Sequence, residues 1–212
     1  MKKKIVALCL CIALAVVAIG GATLAYFTDK TTEVKNTFTV GKVDIDLWET
    51  AKGDGTGSHI TERKDIKVAP GTDIAKDPTV SVTADSEDCW LFVKMTIENW
   101  PNANVTYALD NGWNILNTDS EGKAKTFAVG ESFILYREVS KNDANKTFDI
   151  LKNKTITVST QLVSSNFVTD TDGNMLRPTM AFQAFAIQKD NLTNAQAAWN
   201  AVQAAYTPAT GE

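Results

Sequence analysis

His59 and Cys89 are the two side chains of this chain best suited to metal ligation or nucleophilic chemistry at neutral pH. The sequence holds one histidine and three cysteines, and Cys9 and Cys11 lie in its N-terminal apolar stretch. A zinc peptidase needs several imidazole or thiolate ligands and an open position for water, and no H-E-x-x-H is present. One imidazole joined by carboxylates favours harder ions than zinc. His59 sits in a Gly-rich loop and reads as a solvated side chain. Cys89 lies on the apolar face of an alternating run and reads as a small buried hydrophobe, ahead of a nucleophile or an intermolecular disulfide.

Other site types are weaker. No serine occupies a Gly-x-Ser-x-Gly elbow, and a Ser-His-Asp set has only His59 to build on. Asp44 and Asp46 share a strand face, an arrangement suited to acid–base work but commoner as the wet side of a sheet. Asp170-Thr171-Asp172-Gly173-Asn174 looks like a calcium loop, yet its glycine stands fourth and no glutamate stands twelfth, so it reads as a turn. No Gly-rich loop opens a helix to cradle phosphate. The expectation is of no catalytic, cofactor-binding or metal residues and no cofactor. Of the aromatic side chains, Trp48, Trp90 and Phe92 are expected to cover an inter-subunit groove, because exposed aromatic patches mark interfaces. The five tryptophans also allow a glycan-stacking surface, with Trp199 reading more simply as a helix anchor.

The elements that must position these residues are mainly β. Short runs rich in Val, Ile, Thr and aromatics alternate with Gly, Asn, Asp and Pro clusters, which predicts an antiparallel sandwich or barrel. Cys89 to Glu98 alternates with period two: Cys89, Leu91, Val93, Met95 and Ile97 share one face, while Trp90, Phe92, Lys94, Thr96 and Glu98 share the other. Further strands are expected at Phe38 to Val40, at Val43 to Trp48 after a bulge at Gly41, and at Ile66 to Val68, Thr79 to Thr83 and Val105 to Leu109. Phe133 to Val139, Thr155 to Val163 and Met180 to Gln188 complete the set. Asn111-Gly112 predicts a hairpin between Val105–Leu109 and Trp113–Leu116. Asn194 to Tyr206 predicts one helix, capped by Thr193, with Ala195, Ala198, Trp199, Val202 and Tyr206 on its packed face.

The N-terminus reads as an export signal. Lys2, Lys3 and Lys4 precede an apolar run from Ile5 to Ile19, and Thr23 and Ala25 stand at the −3 and −1 positions of a cleavage site. Cutting between Ala25 and Tyr26 divides the chain into a signal, residues 1–25, and a single domain, residues 26–212, located outside the cell or on its surface. An uncleaved anchor is the alternative. Three lysines leave with the signal, so a chain with a formal net charge of −4 becomes more acidic still, which argues against a nucleic-acid partner.

A family resemblance rests on four fragments in order. They are Gly20-Gly21-Ala22-Thr23-Leu24-Ala25-Tyr26-Phe27-Thr28-Asp29; Asn36 to Ile45; Lys76-Asp77-Pro78-Thr79-Val80 with the strand from Asp88 to Ile97; and Phe185 to Asn191 leading into Ala197-Ala198-Trp199. Together they resemble the TasA and camelysin family of secreted proteins processed by the signal peptidase SipW. The chain departs from the family at Phe92, where relatives commonly carry Arg, and in Lys152 to Arg177, which reads as an insertion without a family motif.

The resemblance implies a jelly-roll sandwich and assembly into fibres of a biofilm matrix, in which the N-terminal strand of one subunit completes the sheet of its neighbour. Tyr26, Thr28, Thr32, Val34, Phe38 and Val40 share one face, so Tyr26 to Thr37 suits a donor strand that buries half its side chains. The implied partners are further copies of the chain, an accessory anchor protein and the signal peptidase. A camelysin-like metallopeptidase and a cell-surface glycan-binding module are the alternative functions.

Overall fold

A computed structural model describes residues 42–63, 66–118 and 130–206, within a compact unit that begins at Val40. The expected signal, the cleavage pair Ala25 and Tyr26, the donor strand 26–37 with Thr28 and Val34, and Phe38 with the Gly41 bulge lie outside the described residues.

The described chain is mainly β and antiparallel, with one helix near its C-terminal end. Its strands are β1 (Ile45–Thr50), β2 (His59–Ile60), β3 (Asp73–Ala75), β4 (Thr79–Val82), β5 (Cys89–Glu98), β6 (Val105–Thr106), β7 (Asn114–Ile115), β8 (Ser132–Val139), β9 (Thr147–Asp149), β10 (Thr155–Val158) and β11 (Thr179–Gln188), followed by α1 (Ala195–Tyr206). They form sheets ordered β2-β1-β4-β9, β3-β10-β6 and β11-β5-β8-β7.

β5 forms over the predicted residues because its alternation lets both faces be buried. Cys89, Leu91, Val93 and Met95 are fully enclosed in the larger core, with Phe133 and Leu135 of β8, Val80 of β4 and Ile156 of β10. On the opposite face Trp90 and Phe92 join Ile134 and Phe185 in a second core, roofed by Ala195, Ala198 and Val202 of α1. Ten residue pairs between β5 and β11 and eight between β5 and β8 hold this sheet in register.

Several expectations are corrected. Asn111-Gly112 does turn the chain, with Gly112 at φ +85°, but it does not join a hairpin. β7 pairs with β8, whereas β6 pairs with β10 in another sheet. Ile66 and Val68 pack on the core without forming a strand. The run from Thr155 stops at Val158, and Val163 is 56% exposed. Lys152 to Arg177, read as an insertion without a family motif, contains β10, the central strand of its sheet, with Ile156 and Val158 buried. Asn194, rather than Thr193, caps α1: its Oδ1 accepts the Ala197 N–H at 2.8 Å.

Phe92 is 0% exposed between β5, Trp199 and Tyr136. Phe92→Ala is therefore expected to lower unfolding stability by about 3–5 kcal/mol, read as a shifted urea midpoint, while leaving the β-sheet circular dichroism intact.

Candidate functional site

One opening lies where β1 and β11 approach each other. Leu47 continues the core-facing phase of Ile45, and Met180 and Phe182 face the same interior from β11. With Ile74, Trp100 and Ile156 they line a cavity of about 770 Å³. Residues 60–63 form another part of its wall, held by the two-pair ladder between β1 and β2. Arg63 Nη1 also donates to the Ala75 carbonyl at 2.5 Å.

Charged residues interrupt the apolar lining at Glu62, Arg63 and Arg177 and at one contacting pair, Glu49 and Lys76. Glu49 follows Leu47 in the core-facing phase of β1, and its Oε1 lies 2.5 Å from Lys76 Nζ. Their side chains are 12% and 11% exposed. Glu49 Oε2 is buried without a hydrogen-bond partner, and Lys76 Nζ stands 5.5 Å from the centroid of the Phe182 ring. The next residue, Asp77, is buried but satisfied. Its carboxylate accepts from the Thr50 N–H, the Thr50 hydroxyl at 2.6 Å and the Gly55 N–H at 2.9 Å, fixing the base of the Gly-rich loop. A core-facing Glu49 was readable from the alternation of Ile45 and Leu47; its pairing with Lys76 had no local signal.

The residues singled out in the sequence are not brought together. His59 is exposed, with its ring stacked on half-buried Trp48 at 4.5 Å between centroids. Cys89 is fully buried, and desolvation pushes its thiol up to about 11. Trp90 and Phe92 are 4% and 0% exposed beneath α1, which corrects the expectation that they offer an open inter-subunit groove. Trp90 Nε1 donates to the Leu192 carbonyl at 3.0 Å. Asp44 lies 2.5 Å from Lys42, and Asp46 is exposed. Asp170 accepts from the backbone of Asp172 and Asn174 and from the Asn174 side chain. Those bonds, led by the Asn174 side chain, hold its carboxyl below the ordinary value.

Arg137 is a charged residue on the core face that the sequence reading passed over. Its guanidinium lies 3.6 Å from the Phe148 ring centroid and 5.2 Å from that of Trp113. Burial lowers its pKa, opposed by Asp110 and Asp143.

Residues 1–105 match the family described as camelysin metallo-endopeptidase. Over those residues the chain is similar to the camelysin family. The match ends at the first residue of β6, so β7 to β11 and α1 lie beyond it. No curated protein and no solved structure matches the chain. The metal implied by that family description can be tested against the donor set of this chain. Outside the N-terminal apolar stretch the nitrogen and sulfur donors are His59 and Cys89, one stacked on a tryptophan and the other enclosed in the core as a thiol. Among the described residues no three His, Cys, Asp or Glu side chains converge. The residues present do not fit a zinc centre.

Three outcomes follow. Because the Cys89 thiol ionises near pH 11 in the fold, against 9.0 ordinarily, native protein at pH 8.5 should resist alkylation that proceeds readily once it is unfolded. The same raised value makes native stability fall as pH rises from 9 toward 11. Asp77→Ala removes the acceptor for buried donors and should cost roughly 2–4 kcal/mol in chemical denaturation, with Asp77→Asn less damaging.

Proposed function

We propose that this chain is a secreted structural subunit of an extracellular fibre, assembled when the N-terminal strand of one copy, Tyr26 to Thr37, adds to the sheet edges of the next. The observation that carries this reading is the pair of strand edges flanking the cavity. Among the described residues β11 is paired on one side only, along all ten of its residues. Among the described residues the outer side of β1 is paired only at Glu49 and Thr50, with β2, and Ile45 to Trp48 have no partner strand there.

Such edges present rows of backbone donors and acceptors that a further strand satisfies. An added strand gains affinity from main-chain hydrogen bonds and specificity from alternate side chains in pockets. Tyr26, Thr28 and Val34 supply an alternating face of that kind, Phe38 marking where the parent fold begins, and Ile74, Met180 and Phe182 give the cavity apolar surface of matching character. Partners on this reading are further copies, an accessory anchor protein and the processing peptidase. The metallo-endopeptidase in the family description is the second reading, and it draws no support from the donor set of the described residues.

Protein beginning at Tyr26 should form filaments under the electron microscope, and protein lacking Tyr26 to Thr32 should remain dispersed. Unchanged filaments after the deletion would overturn the donor-strand reading. Stoichiometric zinc together with chelator-sensitive casein cleavage would favour the peptidase.

A further inference from the structure

We propose that Glu49 and Lys76 are joined in the folded protein by an isopeptide bond between Cδ and Nζ. This does not depend on fibre assembly. The two groups are in contact, at 2.5 Å between Nζ and Oε1, and both side chains are almost nine-tenths shielded. They share a cavity wall with Ile74, Trp100, Met180 and Phe182 and also with Glu62, Arg63 and Arg177, but with so little of either side chain exposed, water can solvate the ion pair only in part. Glu49 Oε2 has no donor at all.

This placement alters the usual balance between the ion pair and the amide. In water, hydration of both charges favours the separated acid and amine. A buried pair lacks that hydration, and incomplete hydrogen bonding of the carboxylate leaves it further short. The amide is neutral, and its carbonyl oxygen tolerates the place of Oε2 better than a charged oxygen does. Both backbones are also fixed. Leu47 and Trp48 are held against β4, and Lys76 N–H donates to the Lys154 carbonyl at 2.8 Å. Reacting groups held in this way behave as a unimolecular system.

The step balances without an oxidant or cofactor. A proton passes from Nζ to Oε1, giving an amine and a carboxylic acid. The nitrogen lone pair attacks Cδ and the Cδ–N bond forms. A second proton from nitrogen goes to the departing hydroxyl, the Cδ–Oε1 bond breaks, and one water leaves into the adjoining cavity. Oε2 remains as the amide oxygen. The product ties β1 covalently to the connection between β3 and β4.

The test is the intact mass of the purified, denatured full chain, with its N-terminus determined independently, followed by a tryptic map. The expected wild-type mass is one water below that of the sequence, with a branched peptide joining the segment around Glu49 to that around Lys76 and no cleavage after Lys76. Lys76→Arg should show its full sequence mass. Glu49→Gln should lose ammonia in place of water, since the amide nitrogen becomes the leaving group. A wild-type chain of full sequence mass, cleaved freely after Lys76 and yielding no branched peptide, overturns the proposal. Any branched peptide supports it.

Discussion

The burial of both faces of β5 is the constraint on which the rest of the structure depends. A strand exposed to water on one side can alternate apolar with polar residues and needs a single partner layer. β5 places Trp90 and Phe92 opposite Leu91 and Val93, so it must be covered twice. The larger core meets one requirement through the β4 and β10 sheets, and α1 meets the other. The Trp90 indole donates to Leu192 just before α1, which fixes where the chain turns back over the aromatic face. Beyond Phe92 that face becomes Lys94, Thr96 and Glu98, increasingly open to water.

Polar groups inside this frame divide by how completely they are satisfied. Asp77 stands at the base of a loop whose amides converge on it, so its burial is offset by backbone and hydroxyl donors. Glu49 and Arg137 stand near openings of the sandwich, and each retains a buried polar atom without a partner, Oε2 in one and Nε in the other. Arg137 offsets part of its desolvation through the face of Phe148. Glu49 has Lys76 as its contacting cation. The two openings differ in chemistry: acidic and amide side chains flank Arg137, whereas the opening at Glu49 mixes aliphatic and aromatic side chains with Glu62, Arg63 and Arg177.

What the sequence made legible follows from the length of each alternating run. β5, β8 and β11 carry eight to ten residues with a consistent phase, and all three lie near their expected limits. β2, β3 and β9 have two or three residues each, too few for periodicity to register. The turn at Asn111-Gly112 was visible, but its partner strands were not, because turn chemistry specifies how a chain reverses and not which edges are free to pair. Trp90 and Phe92 were misplaced for a related reason. An aromatic face on a strand has the same local pattern whether a second molecule or the chain's own helix covers it. β10 was expected from Thr155, but its end at Val158 and its central place were not, because pairing with β3 and β6, both distant in sequence, is what sets them.

Similarity to a family described by a peptidase activity does not by itself supply the groups such chemistry requires. Catalysis by zinc depends on ligands that converge while leaving one position open. In this chain the imidazole is committed to a ring stack and the core thiol is held protonated. The opening between β1 and β11 has a different character: it mixes apolar and charged side chains, is bordered by backbone edges, and is assembled from both sides of the point where the family match ends at Val105. On the proposed function a further strand would bond to those edges through its main chain, a task for which neither a metal nor a nucleophile is needed. Beside that opening the Glu49 and Lys76 side chains keep only 12% and 11% of their surface exposed, so each charge is answered chiefly by the other.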